Sequence, residues 1–131
     1  MITLDIPGKP VPYKAPKVYQ NRTFNPRHGE KHEVQEEIRR QYSGPLLENS
    51  ISVLFIFYFE VPKSFSKKKR QKALDCELMY TSKPDIDNLL KFYNDTLIGT
   101  VIEDDSNIVH LSASKFYSEK PSTHIYIQDY S

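Results

Sequence analysis

Residues 83–106 read KPDIDNLLKFYNDTLIGTVIEDDS and place acidic residues on either side of one apolar stretch. Asp85 and Asp87 are two residues apart, a spacing that aligns side chains in an extended backbone but separates them by about 200° on a helix. Pro84 disfavours helical dihedrals at the preceding residue and is itself excluded from a helix interior. We therefore predict that an extended segment becomes a helix at these two aspartates, and that one of them is the N-cap.

The residues that follow predict a helix with one apolar face. Its apolar residues recur at three- and four-residue spacing as far as Gly99, a residue type that commonly follows the end of a helix. Asp87 and Lys91 are one turn apart on the opposite face. The apolar stripe consists of Ile86, Leu89, Leu90, Tyr93 and Leu97.

The acidic residues predict a cation site, with the Asp104-Asp105 pair folding back toward the start of this helix. Several carboxylate oxygens at one point suit Mg²⁺ or Mn²⁺. Without a cation, such clustered carboxylates repel one another and take up protons. Each piece alone also has a structural interpretation: an N-cap, a surface ion pair between Asp87 and Lys91, and an acidic turn. The candidate metal ligands are Asp85, Asp87, Asp104 and Asp105.

The segments KPDIDNLLKFYNDTL and EDDSNI resemble the signature of the RusA-type Holliday-junction endodeoxyribonucleases, or crossover junction endodeoxyribonucleases. The resemblance is densest over residues 83–115 and extends to residues 6–27. It implies that Asp85, Asp87 and Asp105 bind metal, with Asp104 beside the last. It also implies that Lys91 is the catalytic lysine, and that a homodimer uses Mg²⁺ or Mn²⁺ to nick two strands symmetrically across a four-way DNA junction.

The length and composition limit the class of protein. The chain has 131 residues, which fits one domain over residues 1–131 with an ordinary hydrophobic core. No apolar run is long enough to span a membrane, and the N-terminus lacks the basic-then-apolar order of a signal peptide. The single cysteine, Cys76, cannot form an intramolecular disulfide. We therefore expect a soluble cytoplasmic protein, and the resemblance implies that it is encoded by a bacterium or a phage.

The net charge of +1 conceals two halves of opposite sign. Residues 1–72 carry 14 Lys and Arg against 7 Asp and Glu, whereas residues 73–131 carry 4 against 10. A basic half can hold DNA phosphates while an acidic half holds a metal, which is what an enzyme that cuts phosphodiesters requires.

Two basic segments are candidate DNA-binding surfaces. Residues 8–28 interleave cations with aromatic residues, which suits contacts to phosphates and exposed bases. Residues 63–72 hold six cations and no acidic residue, which suits a second clamp on the DNA backbone. For either segment the alternative is a solvated surface, with the rings of the first packed on the core. The candidate residues are Lys9, Lys14, Lys17, Arg22, Arg27, Lys67, Lys68, Lys69, Arg70 and Lys72.

Alternating apolar residues predict four main strands, at residues 2–6, 50–61, 107–117 and 122–130. Residues 50–61 are apolar on both faces, so we place this strand inside the sheet. A turn at residues 119–121 predicts that the last two strands form an antiparallel hairpin.

Helix signals complete the predicted fold. Asn25-Pro26 suggests a helix start that Gly29 could delay, and the helix should end near Gly44. Ser66 is a candidate cap for a short helix, and residues 78–82 are a candidate brief strand. The predicted fold class is α+β, a single domain with four main strands in a mixed sheet and two longer helices packed on it.

The acidic and basic segments predict a metal-dependent enzyme that cuts phosphodiesters, and the resemblance to the RusA-type enzymes implies a structure-selective endodeoxyribonuclease that resolves Holliday junctions by paired symmetric nicks. One alternative is a general Mg²⁺-dependent nuclease that acts on flaps or other branched DNA. Another is a non-catalytic DNA-binding module whose acidic residues hold a structural ion, and a third is an interaction protein that docks through its acidic half.

Overall fold

A computed structural model describes residues 1–130 of the chain. Four of its strands form the main sheet and two short strands form a separate hairpin, with three helices and one 3₁₀ turn between them. The α+β prediction is confirmed. The elements are β1 (Ile2–Pro7), β2 (Lys17–Tyr19), β3 (Arg22–Phe24), α1 (His28–Gln41), β4 (Ile51–Glu60), α2 (Lys67–Leu74), α3 (Ile86–Leu97), the 3₁₀ turn (Asp105–Asn107), β5 (Ile108–Ser118) and β6 (Ser122–Asp129).

The main sheet is mixed and has the strand order β1-β6-β4-β5. β4 lies inside it, as predicted, and pairs parallel with β5 and antiparallel with β6. The predicted hairpin between the last two strands is wrong, because β4 lies between them. Residues 119–121 instead cross the end of β4. The end of β5 and the start of β6 are two strand spacings apart, about 10 Å. The four Cα steps from Ser118 to Ser122, about 3.3 Å each, can span that distance.

One face of the sheet carries the hydrophobic core. The odd-numbered residues of β4, such as Phe55 and Phe57, are fully buried against α1 and α3. On the opposite face of the same strand, Leu54 is 37% exposed and Ile56 and Tyr58 are only partly buried. The second apolar face of β4 is therefore not covered by another layer among the described residues.

The helix signals were mostly correct. Ser66 caps α2 by accepting a hydrogen bond of 3.1 Å from the Lys69 amide. α3 begins at Ile86 with Asp85 at the N-cap. Its buried face includes Leu89, Leu97 and also Phe92, which the predicted stripe omitted, whereas Leu90 is only partly buried. α1 begins at His28, later than Pro26, in line with the delay that Gly29 allowed.

One local prediction needs correction. The predicted brief strand at residues 78–82 is a loop, because these residues pair with no neighbouring strand. Residues 17–24 form the β2–β3 hairpin, whose two turn residues, Gln20 and Asn21, both have positive φ angles.

Within residues 1–130, no helix has the length and apolarity needed to cross a membrane.

Candidate active site

Asp85 stands at the junction of a loop and α3. It is the N-cap residue, with extended dihedrals (φ −68°, ψ 148°), but its carboxylate makes no capping hydrogen bond. The carboxylate instead accepts hydrogen bonds of 2.8 and 2.9 Å from the Lys83 ammonium. These bonds lower the pKa of Asp85 below its ordinary value, and the same interaction raises the pKa of Lys83. Asp85 is therefore a solvent-exposed, ionised carboxylate with one cationic partner.

Lys115 fixes the loop that leads into Asp85. It pairs in register with Phe57, so its side chain leaves the sheet on the face that the helices cover. Its ammonium donates hydrogen bonds to the carbonyl oxygens of Ser82 (3.1 Å) and Pro84 (3.0 Å). Its charge also contributes to the lowered pKa of Asp85. Sequence reasoning missed this residue, because a lysine in an alternating strand carries no local signal of what it contacts.

Asp87 and Lys91 are both exposed on the first two turns of α3. The Asp87 carboxylate accepts a hydrogen bond of 2.9 Å from the amide of Asn88. The Lys91 ammonium lies 5.6 Å from the centre of the Tyr13 ring. Within residues 1–130, Lys91 and Asp87 do not form the surface ion pair that the structural interpretation required.

Asp104 and Asp105 differ in their surroundings. Asp104 caps the 3₁₀ turn: its carboxylate accepts a hydrogen bond of 3.2 Å from the Ser106 amide, and its own amide donates to the Asn107 side chain at 3.0 Å. Hydrogen bonding from the Ser106 hydroxyl lowers the pKa of Asp104. Asp105 follows in the turn and is exposed. The Asp104 carboxylate is therefore engaged in capping the turn, so Asp105 is the better placed of the two to bind a metal ion.

The structure does not gather these carboxylates into a formed metal site. Among the described residues, no three acidic, histidine or cysteine side chains are positioned to hold one ion. The 3₁₀ turn immediately precedes Ile108, whereas Lys115, which holds the Asp85 loop, is seven residues along the same strand, about 23 Å away. The turn does contact α3. The aspartate carboxylates have exposed, hard oxygen atoms of the kind that bind divalent cations. They are not assembled into one site in the described structure.

Comparison with known proteins identifies the family. Residues 7–128 match the family described as Endodeoxyribonuclease RusA. The chain belongs to this family. A relative from Bacillus subtilis (strain 168), the "Uncharacterized protein YqaN", is 45% identical over 76 residues, which are 56% of this chain and 54% of the relative. The chain therefore spans about half the length of this relative.

In this RusA-family chain, the first basic segment is attached directly to α3. The Val11 amide donates a hydrogen bond of 3.0 Å to the Tyr93 hydroxyl, and the Tyr13 amide donates one of 2.8 Å to the Asn88 carbonyl oxygen. These bonds hold the loop against the helix that carries Asp87 and Lys91. The cations of the loop and hairpin at Lys9, Lys14, Lys17 and Arg22 are exposed.

Arg27 differs from the other cations of the first segment. Its guanidinium forms an ion pair of 3.1 Å with Glu30 and donates a hydrogen bond of 3.2 Å to the Pro12 carbonyl oxygen. It therefore ties the loop to α1, and its predicted contact with DNA stays a prediction.

The second basic segment of this RusA-family chain forms α2. Lys67, Lys68, Lys69 and Lys72 are exposed and Arg70 is partly buried. Lys69 differs from its neighbours because its ammonium lies 4.2 Å from the centre of the Phe65 ring. A helix that presents so many exposed cations is suited to contact a phosphate backbone.

Proposed function

We propose that this RusA-family endodeoxyribonuclease resolves four-way (Holliday) DNA junctions by paired symmetric nicks and depends on a divalent metal. The observation that carries the proposal is the exposed start of α3. There Asp85, Asp87 and Lys91 are all exposed to solvent, and a basic loop is hydrogen-bonded to the same helix. A helix surface with this combination offers metal ligands, a cation for developing charge and phosphate contacts together.

The carboxylates of Asp85, Asp87 and Asp105 are the proposed ligands for Mg²⁺ or Mn²⁺, with Asp104 adjacent. Because the described structure does not assemble them, the proposal requires these carboxylates to be brought together when metal and DNA bind. A bound divalent ion polarises the scissile phosphate and lowers the pKa of an attacking water. Lys83 competes for Asp85, since its ammonium occupies both carboxylate oxygens. Lys83 must therefore release Asp85 before that carboxylate can bind an ion, and it then becomes free to contact a phosphate.

Lys91 is proposed to stabilise negative charge that develops on the phosphate or on the leaving oxygen. Its ammonium has no carboxylate partner among residues 1–130. On the same face of α3, Asp95 pairs with Lys31 at 3.0 Å, which is the ordinary arrangement for surface charges. The absence of such a pair at Lys91 supports a functional role over a structural one.

The two basic segments are proposed to hold the DNA arms. Their cations replace condensed counterions on the phosphates, so the affinity should fall steeply with added salt. A homodimer is proposed because a four-way junction has pseudo-twofold symmetry and a twofold pair of subunits presents two equivalent sites. The relative from Bacillus supports a bacterial setting, and we propose that the enzyme acts in the cytoplasm.

An endonuclease that acts on flaps or other branched DNA is the second candidate, because the same exposed carboxylates and cations would serve it. The test is to incubate the protein with labelled four-way junction, flap and linear duplex, each with and without Mg²⁺. We expect symmetric paired nicks in the junction that require Mg²⁺. Preferential cutting of flaps would favour the second candidate, and binding without cutting would favour a non-catalytic DNA-binding module.

A further inference from the structure

Aromatic rings line a cavity beside the loop that carries Asp85. The cavity has a volume of about 500 Å³, which lies in the range typical of small-molecule sites, about 300–1,000 Å³. Phe65, Tyr80 and Tyr117 form its walls above the buried ring of Phe59. These residues come from four separate segments of the chain, so the cavity exists only in the folded protein.

The rings hold one another in place. Tyr80 stacks on Phe59 with 4.0 Å between ring centres. Tyr117 meets the ring of Tyr80 edge-on at 5.1 Å and that of Phe65 at 5.6 Å. Phe65 and Tyr117 lie outside the main hydrophobic core and remain partly exposed. Their rings are therefore fixed in position yet accessible, as a preformed stacking surface requires.

Polar groups surround the rings. Lys69 reaches over Phe65, and Lys9 also lines the cavity from the first basic segment. Glu60 adds a carboxylate that can accept hydrogen bonds, and Ser82, three residues before Asp85 in the chain, also lines the cavity. Flat rings with cations at the rim match a nucleotide, which has an aromatic base and an anionic phosphate.

The cavity is joined to the Asp85 loop by direct interactions. The Tyr80 hydroxyl donates a hydrogen bond of 2.7 Å to the Lys83 carbonyl oxygen. The Lys115 ammonium lies 5.3 Å from the centre of the Tyr80 ring while it holds the Pro84 carbonyl oxygen at 3.0 Å. A nucleotide in the cavity would therefore lie next to the loop that carries Asp85.

We propose that this cavity binds an unstacked nucleobase of the branched DNA strand that the enzyme cuts. The base lies against Phe65 and Tyr117, and its backbone phosphate lies near Lys69 and Lys9. Unpairing a base costs least where the duplex is already interrupted, and a branch point is such a place. This inference rests on the proposed function.

The test is a double-mutant cycle between the protein and the DNA, measured as junction affinity without divalent metal so that nothing is cut. Single abasic nucleotides are introduced in turn on each side of the branch point. We expect one abasic position to weaken wild-type binding about tenfold, as removal of a stacked base does. Phe65→Leu and Tyr117→Leu should each lower the affinity for the intact junction by a similar factor. Each variant should bind the junction with that abasic position almost as tightly as it binds the intact junction.

Lys68→Gln is the matched control, because it removes one charge from α2 on a side that faces away from the cavity. Its effect should add to that of the abasic position, whereas the effect of Lys69→Gln should not. The inference would be overturned if, in variants that melt like wild type, the effects of Phe65→Leu and Tyr117→Leu on affinity added fully to the effect of every abasic position. Junction binding and metal-dependent cutting would survive that result. If the wild type preferred no branched DNA, the proposed function would itself fail.

Discussion

The Lys115 ammonium donates a hydrogen bond of 3.0 Å to the Pro84 carbonyl oxygen and so fastens β5 to the residue before Asp85. A group that orients a metal ligand in this way commonly changes metal affinity or activity by about 10- to 100-fold when it is removed. We therefore expect Lys115→Met to weaken Mn²⁺ binding and slow junction cleavage by at least about tenfold, with little change in metal-free junction affinity.

Lys120→Met is the control for this prediction, since Lys120 is an exposed lysine in the turn after β5. It should bind Mn²⁺ and cut DNA like wild type. Equal behaviour of the two lysine variants would show that the Lys115 hydrogen bonds do not position Asp85.

Lys83 and Asp85 supply a second prediction, because their ion pair must open before Asp85 can bind a cation. An exposed pair of this kind is weak and screened by solvent. Lys83→Met should therefore tighten Mn²⁺ binding by only about two- to fivefold, measured by calorimetry without DNA. Asp85→Asn should weaken it, and weaker Mn²⁺ binding by Lys83→Met would contradict the proposed competition.

The same pair predicts a pH effect with a definite sign. Lys83 lowers the pKa of Asp85, so the wild-type carboxylate stays ionised to a lower pH than an unpaired aspartate. Without Lys83 the pKa rises toward its ordinary value. In a titration from neutral to acidic pH, the Mn²⁺ affinity of Lys83→Met should therefore begin to fall from its neutral-pH value at a higher pH than that of wild type, while remaining no weaker than wild type at each pH.

The cations of α2 give a third prediction, on the salt dependence of binding. Replacing Lys67, Lys68, Lys69 and Arg70 with Glu should lower junction affinity and reduce the log–log salt slope by about one unit for each phosphate that α2 no longer neutralises. Arg39→Glu with Arg40→Glu is the control, because both arginines already pair with glutamates on α1. An unchanged slope in the α2 variant would mean that this helix is only a solvated surface.

Assembly is the subject of the fourth prediction. Sedimentation at micromolar concentration should give a dimer of about twice the 15.3 kDa chain mass. A protein that stays monomeric both free and bound to a junction would leave paired nicking without an explanation.

The part of the fold closest to the candidate site was predictable because its signals are local. Pro84 and Gly99 mark the limits of α3, and the N-cap preference of Asp85 and the spacing of the apolar residues are encoded within one segment. The long apolar run of β4 likewise indicated an internal strand. Such features depend on near neighbours in the sequence and on few distant residues.

The remaining features depend on interactions between distant segments. A three-residue turn fits both a hairpin and a crossing of the end of β4, so the turn could not reveal that β5 and β6 are separated. Lys115 contacts residues more than 30 positions away, and the aromatic cavity joins four segments. The described structure does not assemble a metal site, so the joint binding of one ion by Asp85 and Asp105 stays a prediction.

The most direct test of the account is single-turnover cleavage of a four-way junction saturated with enzyme, so that binding cannot mask the chemical step. Asp87→Asn and Asp105→Asn should reduce cleavage to background while junction affinity is retained, because their carboxylates are proposed to hold the ion. Asp95→Asn, two turns further along the exposed face of α3, is the matched control and should cut at the wild-type rate.

Lys91→Ala in the same assay separates a catalytic cation from a surface charge. Removal of a group that stabilises charge only in the transition state should slow cleavage on the order of 100-fold, with affinity and melting temperature almost unchanged. Lys91→Arg should recover little, since a planar guanidinium does not replace a compact ammonium. Wild-type rates, within about threefold, for Asp87→Asn and Lys91→Ala would contradict the proposed active site.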